Sequence, residues 1–298
     1  MDFVTRSLAW LLPMHEYKNI VYPYFITREN LEAMPNFQMR DDDIVIASYP
    51  KTGTNWVLEI ITKILQAAGK SEATSEERAF AKLEFHHPEL PQTTHLMLED
   101  SPSPRVILTH LCPDLAPPGI ANPEGNVKVI VVMRNPKDAA VSNYHFGLNI
   151  MRNYFYFGHI LAYFLTWDRF CNVFLSGEAV FGNFYNHVLS WWQKRHDPHF
   201  LFLKYEDMQK NLTDAVKTVA EFLEMDLDDA TVKHIAKDCT FHNMKKVFEN
   251  SDFKHRTFMA RKGMVGDWTN YFSPEQSQAF DAMYREKLEG TGLEFEFE

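Results

Sequence analysis

Cysteine is scarce in this chain. Cys112, Cys171 and Cys239 are odd in number and far apart, which excludes a paired disulfide scaffold and a CxxC metal knuckle and fits a reducing compartment. Long apolar runs are missing too. Nothing approaches the roughly 18 uninterrupted apolar residues of a membrane span, and the brief run near the start is broken by Pro13 and His15. The expectation is a soluble, cytoplasmic protein without a secretory signal. There is no Gly-x-x-x-x-Gly-Lys-Ser/Thr sequence, so a Walker A loop is excluded. Positive charge is not in excess either: the formal net charge is -10, which argues against broad attraction to nucleic acid or to an acidic membrane. Internal repeats, low-complexity tracts and linker-like stretches are absent.

What is present is enough apolar material for one large core. With 298 residues, 45% hydrophobic and 14% aromatic, the chain needs neither disulfides nor a metal to fold, and one domain over 1–298 is expected. Apolar runs at Ile44–Ala47, Val106–Thr109, Val127–Met133 and Phe200–Leu203 alternate with helical patterns. In one of these, Val57, Ile60, Ile61, Ile64 and Leu65 recur at helical spacing, and another covers Ala215–Leu223. The alternation predicts an α/β fold, a mostly parallel sheet flanked by helices. Ligands in such sheets gather beyond the carboxyl ends of the strands, where Lys51, His110 and Arg134 fall. The stretch from Ser71 to Pro104 carries no long periodic element and reads as surface connection with short helices, a region that can border a substrate mouth.

The most informative segment is Tyr49-Pro50-Lys51-Thr52-Gly53-Thr54-Asn55-Trp56, where an apolar strand passes through a tight loop into a helix. Such a junction offers backbone N–H groups and a positive charge to an anion. Gly53 permits close approach of the backbone, Lys51 neutralises negative oxygens, and Thr52 and Thr54 supply hydroxyl donors; an ordinary surface turn is the plain alternative. Trp56 suits either stacking on a base or core packing.

A second candidate is Arg134, leaving its strand at Met133-Arg134-Asn135-Pro136-Lys137-Asp138, with Ser142 about two turns further on. A guanidinium there grips a phosphate in bidentate fashion, or pairs with Asp138 as a structural ion pair. His110, just past a strand, is the best candidate base, although a buried structural histidine fits the position as well. From Asn243 to Gly263, six basic residues stand against Glu249 and Asp252. That local excess suits an anionic ligand or a solvated basic loop, and Gly263 after Arg261-Lys262 leaves space for an oxyanion.

In combination these motifs resemble the cytosolic sulfotransferases, and the likeness runs through almost the whole chain. Tyr49 to Trp56 resembles that family's loop for the 5′-phosphosulfate; Arg134, Ser142 and Arg261-Lys262-Gly263 resemble its 3′-phosphate positions. Further likeness lies in Phe181-Gly182-Asn183-Phe184-Tyr185-Asn186-His187-Val188 and Trp191-Trp192. The resemblance implies a nucleotide-kinase-like fold with a phosphosulfate-binding loop, and 3′-phosphoadenylyl sulfate (PAPS) as donor. It also implies adenine packing by Trp56 and Phe241, nucleotide contact by Tyr205, Cys239 and Met244, and catalysis by His110 with Lys51.

Three departures stand out. The family commonly has lysine two residues before its histidine, where this chain has Leu108. Cys239 stands where a nucleotide-contacting threonine is usual, with Thr240 beside it. The run Thr269 to Gln278 does not match the usual dimer segment, so homodimerisation by that mode is not expected. The activity expected is sulfonate transfer to a hydroxyl or amine of a small acceptor. An ATP-dependent small-molecule kinase and a non-catalytic nucleotide-binding protein are the alternatives. Phe85, His86, Phe146, Tyr154, Phe155, Tyr156 and Phe157 are candidate walls of an apolar acceptor pocket, favouring aromatic or lipophilic acceptors.

Overall fold

The computed structural model describes residues 14–86, 92–154, 158–251 and 256–298. Strands β1 (Met14–Tyr17) and β2 (Ile20–Pro23) form an antiparallel hairpin. The apolar runs then become β3 (Ile44–Ser48), β4 (Val106–Thr109), β5 (Lys128–Met133) and β6 (Phe200–Lys204), one sheet in the order β4-β3-β5-β6 with every pairing parallel. This is the α/β architecture expected from the alternation of elements.

Strand residues divide between two cores with a period of two. Val45, Ala47, Val129 and Val131 join one buried cluster, whereas Ile44, Ile46, Ile130 and Val132 join the other. Both faces are apolar because both are covered by helices. The Thr54–Ala67 helix lays Val57, Ile60, Ile61, Ile64 and Leu65 on the second cluster. On the opposite face, the Phe184–Trp192 helix contributes Phe184, Tyr185, Val188 and Trp191 to the first. Each such side chain stabilises the fold by about 1.5–3 kcal/mol of burial before entropy is counted.

Parallel pairing puts the carboxyl ends of all four strands at one edge. Lys51, His110, Arg134 and Tyr205 each follow a strand by no more than three residues, so the topology collects them there.

Between Ser71 and Pro104 the structure departs from a plain surface connection. Short helices do form at Ser75–Arg78 and Thr94–Glu99. Yet Lys82 makes a parallel bridge with Leu108, and Leu83 and Glu84 are buried. The reason is the sheet edge: Leu108 N–H donates to the Ala81 carbonyl at 2.8 Å and the Leu83 N–H donates to the Leu108 carbonyl at 2.9 Å. Those β4 backbone groups would otherwise lack partners.

Candidate active site

The loop after β3 is built around a strained turn. Lys51 has φ 70° and Gly53 φ 124°, left-handed values that reverse the chain between β3 and the helix beginning at Thr54. The helix N-terminus carries no side-chain cap, which leaves first-turn N–H groups for an external acceptor. Two anchors fix the turn from behind: the Thr52 hydroxyl bonds to the carbonyls of Tyr49 at 2.8 Å and Val132 at 3.0 Å, and Asn143 Nδ2 donates to the Pro50 carbonyl at 2.9 Å.

In front of this loop lies a cavity of about 450 Å³. Lys51, Gly53, Thr54, Asn55 and Trp56 line it from the loop, while Arg134, Ser142 and Tyr205 line it from the neighbouring strand ends and helix. Phe241, Met244, Arg261, Lys262 and Gly263 close the far side, and His110 lines the same cavity. Segments more than 200 residues apart in sequence thus share one space, as Lys51 Nζ donating to the Met259 carbonyl at 3.4 Å illustrates.

Two of the expected nucleotide contacts sit behind the lining rather than in it. Thr52 is fully buried, and its hydroxyl is spent on the two carbonyls that brace the loop. Cys239 is also fully buried, and its carbonyl accepts the Trp56 indole N–H at 2.7 Å. For Cys239, direct side-chain contact is therefore replaced by support of Trp56; the thiol, pushed up by burial, stays protonated. This also explains why a cysteine serves where a hydroxyl was expected, because the group used is the backbone carbonyl.

At the other end of the cavity His110 is held by three partners. Its Nδ1 donates to the Ser48 carbonyl at 2.8 Å, its backbone N–H donates to Glu84 Oε1 at 2.8 Å, and its carbonyl accepts from His187 Nε2 at 3.0 Å. The bond to Ser48 places the proton on Nδ1 and leaves Nε2 as an acceptor. Burial, followed by the positive charges of Lys82 and Lys51, pulls the imidazole down to about 3, so it is neutral at physiological pH. Incoming anionic oxygens oppose that effect and raise its basicity. Glu84, pushed up to about 7 by burial, is a positioning group that sequence reading missed.

Lys51 is pulled down to about 7, first by burial and then by Arg134, Lys82 and Arg261. Its Nζ lies 4.5 Å from the centre of the Phe146 ring. A cation poorly compensated by acids is what a polyanion stabilises on binding.

Arg134 has the partner that the ion-pair reading expects. Its Nη2 lies 3.9 Å from Asp138 Oδ2 and donates to the Met264 carbonyl at 3.0 Å, and the guanidinium stacks 4.1 Å from the Tyr205 ring centre. Nε of Arg134 and Nε of Arg261 are buried without partners among the described residues. Such orphaned cationic donors fit phosphate oxygens. Asp138 does more than pair: it accepts the backbone N–H of Gly266 at 2.9 Å and of Trp268 at 3.0 Å, which draws the Arg261–Gly263 loop against Arg134. Gln209 closes the same corner, with Nε2 donating to the Gly263 carbonyl at 2.8 Å and to the Tyr205 hydroxyl at 3.1 Å. Gln209 was missed in the sequence, where a glutamine within a helical segment carries no motif, and Asp138 was read there only as the ion-pair partner of Arg134. The basic character expected between Asn243 and Gly263 is partly neutralised, because Arg261 and Lys262 both pair with Asp267.

Of the expected acceptor walls, Phe85 and Phe146 line the cavity and His86 does not. Residues 155–157 and the side chain of Tyr154 lie outside the described residues. Phe25, Phe181 and Tyr24 add aromatic surface to the cavity, and the Phe181 and Phe85 rings lie 5.5 and 6.2 Å from that of His110. Leu108 neither lines nor narrows the cavity; it is fully buried in the core.

The sulfotransferase-domain family model matches residues 41–292. This chain belongs to the sulfotransferase family. Sulfotransferase 6B1 of Danio rerio is 37% identical over 269 residues, 89% of this chain and 84% of that one. Sulfotransferase 1B1 of Canis lupus familiaris is 36% identical over 312 aligned positions, covering 100% of this sulfotransferase and 98% of its own length. A crystal structure of the mouse sulfotransferase SULT7A1 complexed with PAP superposes with a TM-score of 0.76 at 30% identity, over 94% of this chain and 96% of that one. Retinol dehydratase, at 22% identity and a TM-score of 0.79, shares the fold.

Proposed function

We propose that this sulfotransferase, acting as one domain over 1–298, moves a sulfonate group from PAPS to a hydroxyl, or less often an amine, of a small aromatic or lipophilic acceptor in the cytoplasm. The observation that carries the reading is the presence in one cavity of His110, Lys51 and the cations Arg134 and Arg261 with unpartnered buried donors. The relative complexed with PAP, adenosine 3′,5′-bisphosphate, supports the same donor. Among the described residues, no helix is long and apolar enough to cross a membrane.

In this reading the acceptor oxygen attacks sulfur in line as His110 Nε2 takes its proton. An O–S bond forms, the bond from sulfur to the phosphate oxygen breaks, and that oxygen keeps the electron pair as part of PAP. Lys51 stabilises the charge that develops on it. Aromatic walls at Phe85, Phe146 and Phe181 favour ring-bearing acceptors and exclude water.

Radiolabelled PAPS, incubated with a panel of phenols, steroids, alcohols and amines, tests the reading. Transfer by the wild-type chain, with a loss of about 10²–10⁴-fold in His110→Ala and donor affinity retained, is expected. No transfer to any acceptor, together with no PAPS binding, rejects it.

A further inference from the structure

The lysine that the resemblance leads one to expect two residues before the histidine is Leu108 here, but a lysine from a neighbouring segment lines the same cavity. Leu108 forms a parallel bridge with Lys82 on the adjoining segment. Bridged partners in a sheet direct their side chains to the same face, and alternation gives Leu108 and His110 a common face as well. Lys82 is therefore in the row that contains the histidine, on the segment bridged to β4. It lines the cavity with His110 and Lys51, whereas Leu108 is sealed in the core.

The surroundings of Lys82 are those of a working cation. Its Nζ donates to the Ala79 carbonyl at 3.2 Å and lies 5.4 Å from the Phe85 ring centre, with no carboxylate in ion-pair contact among the described residues. One hydrogen bond uses one of three ammonium donors, leaving two. Burial pulls the group down to about 8, an effect that Glu84 opposes and Arg256 reinforces. Its charge acts on both His110 and Lys51.

Resting on the sulfonate-transfer reading above, we propose that Lys82 is the second cation of the transfer site, supplied by the segment bridged to β4 in place of position 108, and that its ammonium contacts the sulfonate in flight. It donates N–H groups to the non-bridging sulfonate oxygens while the acceptor O–S bond forms and the bond to the phosphate oxygen breaks. Lys51 serves the leaving oxygen and Lys82 the group that moves, so the two lysines have different charges to stabilise.

The test uses the full chain and the variants Lys82→Met and Lys82→Arg. Calorimetry gives affinities for PAPS and for PAP, and single-turnover assays give the transfer rate. Lys82→Met should transfer about tenfold or more slowly and weaken PAPS more than PAP, because only PAPS carries the sulfonate. Lys82→Arg should keep most of the rate. A Lys82→Met chain with wild-type rate and an unchanged PAPS-to-PAP affinity ratio overturns the proposal. So does a rise in acceptor KM alone, which would seat Lys82 against the acceptor. If the wild-type chain transfers nothing, the reading of the activity fails, and the affinity ratio still decides whether Lys82 senses the sulfonate.

Discussion

The indole Nε1 of Trp56 donates to the carbonyl oxygen of Cys239 across 2.7 Å, joining residues 183 positions apart. The bond ties the first turn of the loop helix to the segment that leads into Phe241, so two walls of the cavity are joined. Trp56 also meets Tyr205 edge-on, with ring centres 5.1 Å apart.

Replacing Trp56 with Phe keeps a ring but leaves the Cys239 carbonyl buried and unpaired. The cost should be about 1–3 kcal/mol of stability, read as a lower urea midpoint, together with weaker PAP binding. An unchanged midpoint would show that water replaces the indole.

Gly263 has φ +65°, and a Cβ there would come within 2.0 Å of Phe241 Cδ2. Gly290 shares the left-handed backbone at φ +78° but has nothing within 4 Å. Gly263→Ala should therefore displace Phe241 and reduce PAP affinity about tenfold or more, on the scale of one charged contact. Gly290→Ala, strained but sterically free, should leave affinity intact. Equal effects in calorimetry would assign the loss to backbone strain alone.

Arg134→Ala should weaken PAP about tenfold more than it weakens the analogue lacking the 3′-phosphate, since only PAP presents that partner to the guanidinium. Arg134→Lys should rescue little, because an ammonium lacks the planar fork that also stacks on Tyr205. Equal losses for both nucleotides would confine Arg134 to bracing the Asp138 corner.

Donor binding should weaken with rising pH. Lys51 in the free protein sits at about 7, and a bound polyanion raises that value. The complex then holds more protons than its parts, so affinity is greatest below pH 7 and falls as pH rises through it. Calorimetry at pH 8 in buffers of different ionisation enthalpy should show proton uptake. Lys51→Arg, charged throughout, should remove that uptake; its persistence would move the titrating group elsewhere, with Lys82 the next candidate.

Local sequence determined the strands, the sheet's parallel character and the loop after β3, because these depend on short-range pattern: apolar runs, helical spacing, and glycine next to lysine at a strand end. It also marked His110, Arg134 and Arg261 to Gly263 as chemistry-bearing groups. What it could not decide was which atoms face the ligand. Thr52 follows the family pattern and Cys239 departs from it, yet both side chains lie behind the wall, because the Thr52 hydroxyl bonds to Val132 and the Cys239 carbonyl to Trp56. Glu84, Asp138 and Gln209 gain their roles only through contacts with backbone from distant segments. Leu108 looked like a lost charge when read along the chain. Only the lateral pairing of β4 with residues 81–83 sets Lys82 beside it, since strand neighbours are fixed by sheet edges that need hydrogen-bond partners and not by order in sequence.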